Sequence, residues 1–201
     1  MSELLEQQLQ RDIECGDHAT ATRRALEHYG PEVRRWQRHL LDTDADVDDA
    51  FSSFSVDLWR SFRTFRGACS VRTWCFRLGA NAARRHRQRK AQGREVGVSQ
   101  LDQIPATEGR QDTAPWLKTE YKDRFALLRS SLSKEEQDLL VLRIDQRMGW
   151  RDIAIILADS EALSDAQLNA SAASLRKRFQ RLKDRIRKSV ADDTEGAPTR
   201  S

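Results

Sequence analysis

Apolar residues recur every three or four positions along most of the chain, and no alternating stretch lies between hairpin turn residues. This spacing predicts helices over 2–14, 18–41, 46–62, 71–90, 116–132, 134–145, 150–157 and 172–190. A clear helical stripe consists of Val47, Phe51, Phe54, Leu58 and Phe62. The sequence therefore predicts an all-α fold.

Local signals mark where several of these helices begin or change direction. Ser70 is a predicted N-cap for the fourth helix, and Ser133 with Glu136 forms a predicted capping box. Gly30 and Pro31 fall inside the second helix, where proline removes a backbone donor. We expect a break or a kink at that point.

One internal segment lacks helical periodicity and divides the chain. From 91 to 115 the residues are rich in Gly, Gln, Ser, Thr and Pro, a composition that buries too little apolar surface to offset its ordering entropy. We therefore predict two small helical domains, 1–90 and 118–191, joined by a flexible linker over 91–117. Residues 192–201 are predicted to form a disordered tail.

Charge is distributed unevenly, although the formal net charge is only +4. Residues 1–59 hold thirteen acidic side chains against six Lys or Arg, whereas residues 60–90 hold ten Lys or Arg and no acid. Residues 174–188 form a second basic stretch. In residues 60–90 the basic side chains alternate with Phe and Trp. Such a surface can hold phosphates through its positive charges while its aromatic rings stack on unpaired bases. A nucleic acid is therefore the first expected partner.

The sequence gives little support for a disulfide framework, a metal site or an enzyme active site. Cys15, Cys69 and Cys75 show no CxxC spacing, so neither a disulfide framework nor a zinc site is predicted, and no cofactor is expected. The histidines are scattered and no Gly-rich phosphate loop occurs, which leaves an enzyme as the third hypothesis. The N-terminus has no signal-peptide pattern, and a soluble, cytoplasmic protein is expected.

The C-terminal part has the order scaffold helix, short helix, connection and basic amphipathic helix, which is the layout of a helix-turn-helix. In its last helix, Leu175, Phe179 and Leu182 form the apolar stripe, and basic residues cover the other faces. A helix of this kind fits the major groove of B-DNA. A solvated basic face or an RNA-binding arm is the alternative interpretation.

Motifs in both halves resemble one family. Residues 46–90 resemble region 2 of bacterial RNA polymerase sigma factors of the sigma-70 family, extracytoplasmic-function type. The matching motifs are Asp46-Val-Asp-Asp49, Trp59, Phe65-Arg-Gly67, Thr73-Trp-Cys-Phe-Arg77 and Ala80-Asn-Ala82. Residues 127–157 and 172–188, which contain SKEEQDLLVLR, WRDIAIIL and SLRKRFQRLKDRIRK, resemble region 4 of the same family.

The resemblance implies a protein without a catalytic site. Such a protein binds core RNA polymerase, positions it on promoter DNA and captures unpaired bases of the non-template strand. By the resemblance, capture of the minus-10 element is assigned to Phe65, Arg66, Trp74, Arg77 and Asn81. Aromatic residues at helical spacing also suit a protein core, so packing is the alternative role for the Phe and the Trp of this set.

Two further surfaces follow from the resemblance. Recognition of the minus-35 element is assigned to Arg176, Lys177, Gln180 and Arg181. The acidic helix is expected to contact core polymerase through residues that the apolar stripe leaves exposed, namely Asp46, Asp48, Asp49, Asp57 and Arg60. The alternative is that these carboxylates only cap the helix. Family members commonly have an anti-sigma protein, which is a further expected partner.

Three departures from the family's pattern bear on function. Ser52 and Ser55 stand where the family usually has glutamine and an aromatic residue, which motivates the alternative of a free-standing helix-turn-helix regulator without productive polymerase contact. Ala68 and Cys69 follow the FRG motif in place of an acidic residue. Residues 158–171 lengthen a turn that is normally short, so we expect a separate turn of helix there or an altered angle of the recognition helix.

Overall fold

A computed structural model describes residues 2–93, 132–158 and 164–195, and within these ranges the chain forms seven α-helices and no strand. They are α1 Ser2–Glu14, α2 His18–Leu40, α3 Asp44–Ser61, α4 Val71–Ala91, α5 Lys134–Leu140, α6 Trp150–Leu157 and α7 Asp165–Glu195. A π-helical turn, Val141–Asp145, continues α5. The predicted all-α fold is confirmed. The predicted helix over 116–132 and most of the predicted linker lie outside the described residues.

Helices α2, α3 and α4 pack on one another, and α1 lies against α2 and α4. Large side chains that are fully buried fill the space between them, among them Trp36, Phe54 and Phe76. At Gly79, α4 lies so near α2 that an added Cβ atom would be 2.5 Å from Val33 Cγ1. Only a residue without a side chain fits this point, so Gly79 sets the spacing of the two helices.

The predicted helix starts at Ser70 and Ser133 are present. Ser70 Oγ accepts from the Thr73 amide, and Ser133 forms both halves of the capping box with Glu136. Helix α2, however, runs without interruption through Pro31. Tyr29 and Val33, two residues before and after Pro31, are buried, and their packing keeps this stretch helical although proline donates no backbone hydrogen bond.

Helices α5, α6 and α7 form the part for which the sequence predicts a helix-turn-helix. Ile153, Ile156 and Leu182 are buried in it, and the rings of Trp150 and Phe179 meet edge to face with centroids 5.4 Å apart. Helix α7 begins at Asp165, earlier than predicted, so residues 165–171 are its first turns and not a separate piece of helix. The lengthened turn of the sequence is thus partly absorbed into α7.

Helices from both halves of the sequence contact each other in this structure. Helix α6 packs against α4, and buried residues of both halves belong to one hydrophobic cluster that includes Leu139, Met148 and Ile153. The first turn of α4 therefore faces α6 and the π-helical turn. The candidate sites described next lie on the surfaces that this packing leaves exposed.

Candidate nucleic-acid and polymerase interfaces

The exposed face of α4 carries a cluster of aromatic and cationic side chains. Trp74, Arg77 and Asn81 lie three and four residues apart and therefore share this face. The Phe65 ring is 5.6 Å from the Trp74 ring, and the Arg77 guanidinium lies 5.7 Å from the same indole. All four side chains are only partly buried. The structure brings Phe65, Trp74 and Arg77 together as one partly exposed stack.

Arg66 and Asn81 flank this stack. Arg66 is exposed on the loop before α4, next to Gly67, whose φ of +69° is a left-handed conformation that glycine adopts without strain. Asn81 Oδ1 accepts a hydrogen bond of 3.0 Å from Arg84. Phe65 also lies 6.3 Å from the buried Phe62 ring, so the packing role considered for Phe65 and Trp74 coexists with their partial exposure.

The four residues assigned to minus-35 recognition share the solvent side of α7. Opposite them, the helix buries Leu175, Phe179 and Leu182. The four exposed residues are Arg176, Lys177, Gln180 and Arg181. Cationic groups on a groove-sized helix can contact base edges and phosphates.

Two other basic residues of α7 have a structural role that the sequence did not indicate. Arg178 pairs with Glu135 at 2.5 Å, and Arg185 pairs with Glu136 at 2.6 Å. These ion pairs join α7 to α5. The hint in the sequence is that α5, KEEQDLL, holds three acidic residues and a single lysine, so at least two carboxylates lack a basic partner within their own helix.

Asp46 is not exposed, and its predicted exposure toward a partner is wrong. Its carboxylate accepts hydrogen bonds from Lys90 at 2.7 Å, His86 at 2.7 Å and Thr43 at 2.7 Å. Burial alone would raise the pKa of Asp46, but the hydrogen bonds from Lys90, His86 and Thr43 lower it to about 2. Asp46 therefore ties α3 to the C-terminal half of α4, because two of its donors come from that helix.

The other acidic residues of α3 are more accessible. Asp49 is exposed, Asp48 is exposed and paired with Arg34, and Asp57 is partly buried and paired with Arg85. Arg60 is exposed.

A groove of about 590 Å³ separates α3 from the end of α4. Its lining includes Ser52, Val56, Asp57 and Arg60. Val56 and, three residues on, Trp59 are each 46% exposed, and both are apolar residues outside the predicted stripe. The sequence-based site had missed them. An exposed apolar pair beside a groove with charged walls is typical of a protein-binding surface.

Within the described ranges, no helix is both long and apolar enough to span a bilayer. Those ranges also contain no group of three or more His, Cys, Asp or Glu side chains placed to hold a metal ion.

Comparisons with known proteins relate this geometry to a family. Residues 25–93, which contain the aromatic and cationic stack, match the family described as Sigma-70 region 2. The fold is similar to a solved structure described as CnrH in complex with the cytosolic domain of CnrY, with 19% sequence identity and a TM-score of 0.52. That likeness covers 90% of this chain and 97% of CnrH. No curated protein matches. Residues 25–93 therefore match the region 2 family that the motifs in this part of the sequence predicted.

Proposed function

We propose that this protein is a sigma factor of the extracytoplasmic-function type, which binds core RNA polymerase and directs it to promoters. The observation that carries the proposal is the partly exposed stack of Phe65, Trp74 and Arg77 inside the sigma-70 region 2 match. A ring with a free face can stack on any unpaired base, and the neighbouring guanidinium adds attraction for phosphate. No catalytic activity belongs to this function.

The helix-turn-helix part supplies the second contact with the promoter. Arg176, Lys177, Gln180 and Arg181 lie on the solvent side of α7, where they face a duplex and read the minus-35 element. Asn81 and Arg66 extend the single-strand surface on either side of the stack.

Core polymerase docks on α3 in this proposal. The apolar pair Val56 and Trp59 forms the centre of the contact, and Asp48, Asp49, Asp57 and Arg60 form its charged rim. Centres of this kind supply most of the binding energy in protein interfaces, whereas exposed charges mainly influence the rate and specificity of association. Asp46 acts from inside, by holding α3 against α4.

A protein partner that holds the free chain is also part of the proposal. CnrH, which has a similar fold, was solved with the cytosolic domain of CnrY. By this likeness we expect an anti-sigma protein for the present chain, acting in the cytoplasm where polymerase works.

Reconstitution tests the proposal. The full chain is mixed with core polymerase, the complex is isolated by gel filtration, and run-off transcription is measured on promoters mapped by start sites after overexpression. The proposal expects co-elution and initiation at discrete sites, both reduced by Trp59→Ser with Val56→Ser. DNA binding without co-elution or initiation would instead favour a free-standing helix-turn-helix regulator. The observation that supports this alternative is Ser52, which is exposed in the groove.

A further inference from the structure

The solvent side of α7 carries one negative charge among many positive ones. Residues 174–188 hold eight Lys or Arg and a single acid, Asp184. Asp184 lies three and four residues after Arg181 and Gln180, so it shares their face of the helix. Its side chain is 51% exposed. The carboxylate therefore lies on the side of α7 that the proposed function turns toward DNA, where phosphates repel it.

Asp184 does not join α7 to another helix in the described part of the chain. Its Oδ1 atom accepts a hydrogen bond of 3.1 Å from Gln180 Nε2 and lies 3.7 Å from Arg187 Nη1. Both partners are exposed residues of α7 itself. The acids that hold α7 in place, Glu135 and Glu136, belong to α5. Exposed pairs within one helix stabilise it only slightly, so the stability of the fold does not explain Asp184.

The bond to Asp184 determines what the Gln180 amide can offer to a base. A glutamine amide has two N–H donors and one carbonyl acceptor, whereas a carboxylate only accepts. One N–H group of Gln180 is used by Asp184, which holds the nitrogen end of the amide toward the carboxylate. The carbonyl oxygen of Gln180 and the second carboxylate oxygen, Oδ2, remain to accept hydrogen bonds. The two side chains therefore present mainly acceptor atoms in the middle of a basic surface.

Acceptor atoms distinguish the four bases in the major groove. Adenine and cytosine present an amino group there, whereas guanine and thymine present a keto oxygen. An amino group donates a hydrogen bond to an acceptor, but a keto oxygen opposes its own lone pairs to those of the acceptor. The negative charge of a carboxylate increases the contrast, because hydrogen bonds to it are charge-assisted and its repulsion of an oxygen is larger. A base with an amino group is therefore favoured at this point.

We propose that Gln180 and Asp184 form an acceptor pair that selects adenine or cytosine over guanine and thymine at one position of the duplex read by α7. This inference rests on the proposed function, since that function assigns α7 to the minus-35 element. Gln180 contacts the base, and Asp184 orients its amide and repels keto oxygens. Arg176, Lys177 and Arg181 supply the attraction for phosphates that offsets the repulsion of the acid. Asp184 thus lowers affinity and raises selectivity.

Selection of bound duplexes from a library randomised over the minus-35 element tests the acceptor pair. The full chain is used with core polymerase and also alone, as wild type, Asp184→Ala and Gln180→Ala. Asp145→Ala, which removes the same charge at an exposed position of the π-helical turn, is the matched control. Circular dichroism verifies that the variants keep their helices, as alanine at an exposed helical position allows. Sequencing of the bound fraction gives the base ratios, and fluorescence anisotropy gives the affinity for the unselected library.

We expect one position at which wild type and the control favour adenine or cytosine on the contacted strand by roughly tenfold. Gln180→Ala and Asp184→Ala should each reduce this ratio to below about threefold and leave the ratios at other positions unchanged. Asp184→Ala should also bind the unselected library about twofold more tightly, because a charge that repels phosphates is gone. A merely structural role of Asp184 would instead lower the affinity and leave the base ratio as it is.

An unchanged base ratio in Asp184→Ala would overturn the acceptor pair. So would a keto base favoured by wild type at the position that Gln180→Ala alters. Selection by the chain alone, without co-elution with polymerase, would refute the proposed function and leave the acceptor pair supported. Absence of duplex binding by the chain, both alone and with polymerase, would refute both.

Discussion

The indole N–H of Trp74 donates a hydrogen bond of 2.9 Å to the hydroxyl of Ser61, the last residue of α3. This bond fixes the ring between two helices before any ligand arrives. Phe65 and Arg77 lie beside the fixed ring. A surface that is already ordered loses little conformational entropy on binding, so more of the stacking energy contributes to affinity.

Replacing Arg77 by glutamine should weaken binding of single-stranded non-template DNA roughly tenfold, because it would remove the phosphate contact that we propose for Arg77 and the cation beside the indole. The slope of log affinity against log salt should fall by about 0.7, the value for one contact with a single strand. Fluorescence anisotropy over a salt series measures both. Arg23→Gln, an exposed arginine on α2, is the control and should change neither quantity. An unchanged slope in Arg77→Gln would remove this residue from the site.

Charge reversal on α7 should abolish duplex binding and leave the fold intact. Arg176→Glu with Arg181→Glu acts on two exposed residues opposite the buried stripe, so the melting temperature should stay within a few degrees of wild type. Footprinting on a minus-35 duplex gives the affinity. The double variant Arg23→Glu with Arg35→Glu makes the same change in net charge on α2 and should retain protection. Equal losses in both variants would indicate nonspecific attraction only.

Most of the helices could be predicted because their apolar positions repeat with the helical period and their caps lie in the sequence. Asp46 could not be placed in the same way. The stripe of α3 describes one helix by itself, whereas the burial of Asp46 depends on His86 and Lys90, which reach it from α4.

The start of α7 was missed for a different reason. Its first turns consist of small and polar residues, so apolar positions do not recur there with the helical period. They also directly follow the residues that lengthen the turn after α6. The signal that could have found it is the pair Ser164 and Gln167, which bond reciprocally as a capping box. The contact between α4 and α6 joins residues more than seventy positions apart, and no local pattern encodes such a pairing.

Gly79→Ala should destabilise the protein by about 1–3 kcal/mol, because its Cβ would lie 2.5 Å from Val33 Cγ1 between two packed helices. Gly30→Ala is the matched control, since a Cβ there would lie 3.4 Å from the Phe51 ring. Both changes raise helix propensity equally, so their difference isolates the clash. Urea denaturation followed by circular dichroism measures the free energy of unfolding. Equal effects would show that α2 and α4 can move apart without cost.

Acid should weaken the link between α3 and α4. The folded pKa of Asp46, about 2, is below the ordinary value of 3.8, so its contribution is complete above pH 4 and is lost as the pH falls toward 2. Because one pKa unit corresponds to about 1.4 kcal/mol, this difference contributes roughly 2 kcal/mol. Asp46→Asn should lower stability at pH 7 and flatten its decline between pH 4 and pH 2, whereas Asp49→Asn, at an exposed carboxylate, should do neither. An Asp46→Asn profile parallel to wild type would contradict this.

The cysteines should differ in reactivity. Burial raises the pKa of the Cys69 thiol to about 11 and raises that of the fully buried Cys75 further, so little thiolate forms at pH 8. Cys15 is exposed. Timed alkylation with iodoacetamide, followed by mass spectrometry, should show Cys15 modified first and Cys75 modified only after denaturation. Labelling of Cys69 as fast as Cys15 would mean that the loop before α4 is open.

The early start of α7 constrains how this helix can approach a duplex. Arg176 lies eleven residues after Asp165, which is about 16 Å along the axis, whereas the major groove is only about 8.5 Å deep. A helix inserted tip first would reach the floor of the groove before Arg176 arrived there. In the proposed complex the axis must instead run lengthwise along the groove, so that bases would be read from the side of the helix, with the added amino-terminal turns extending past the contacted base pairs.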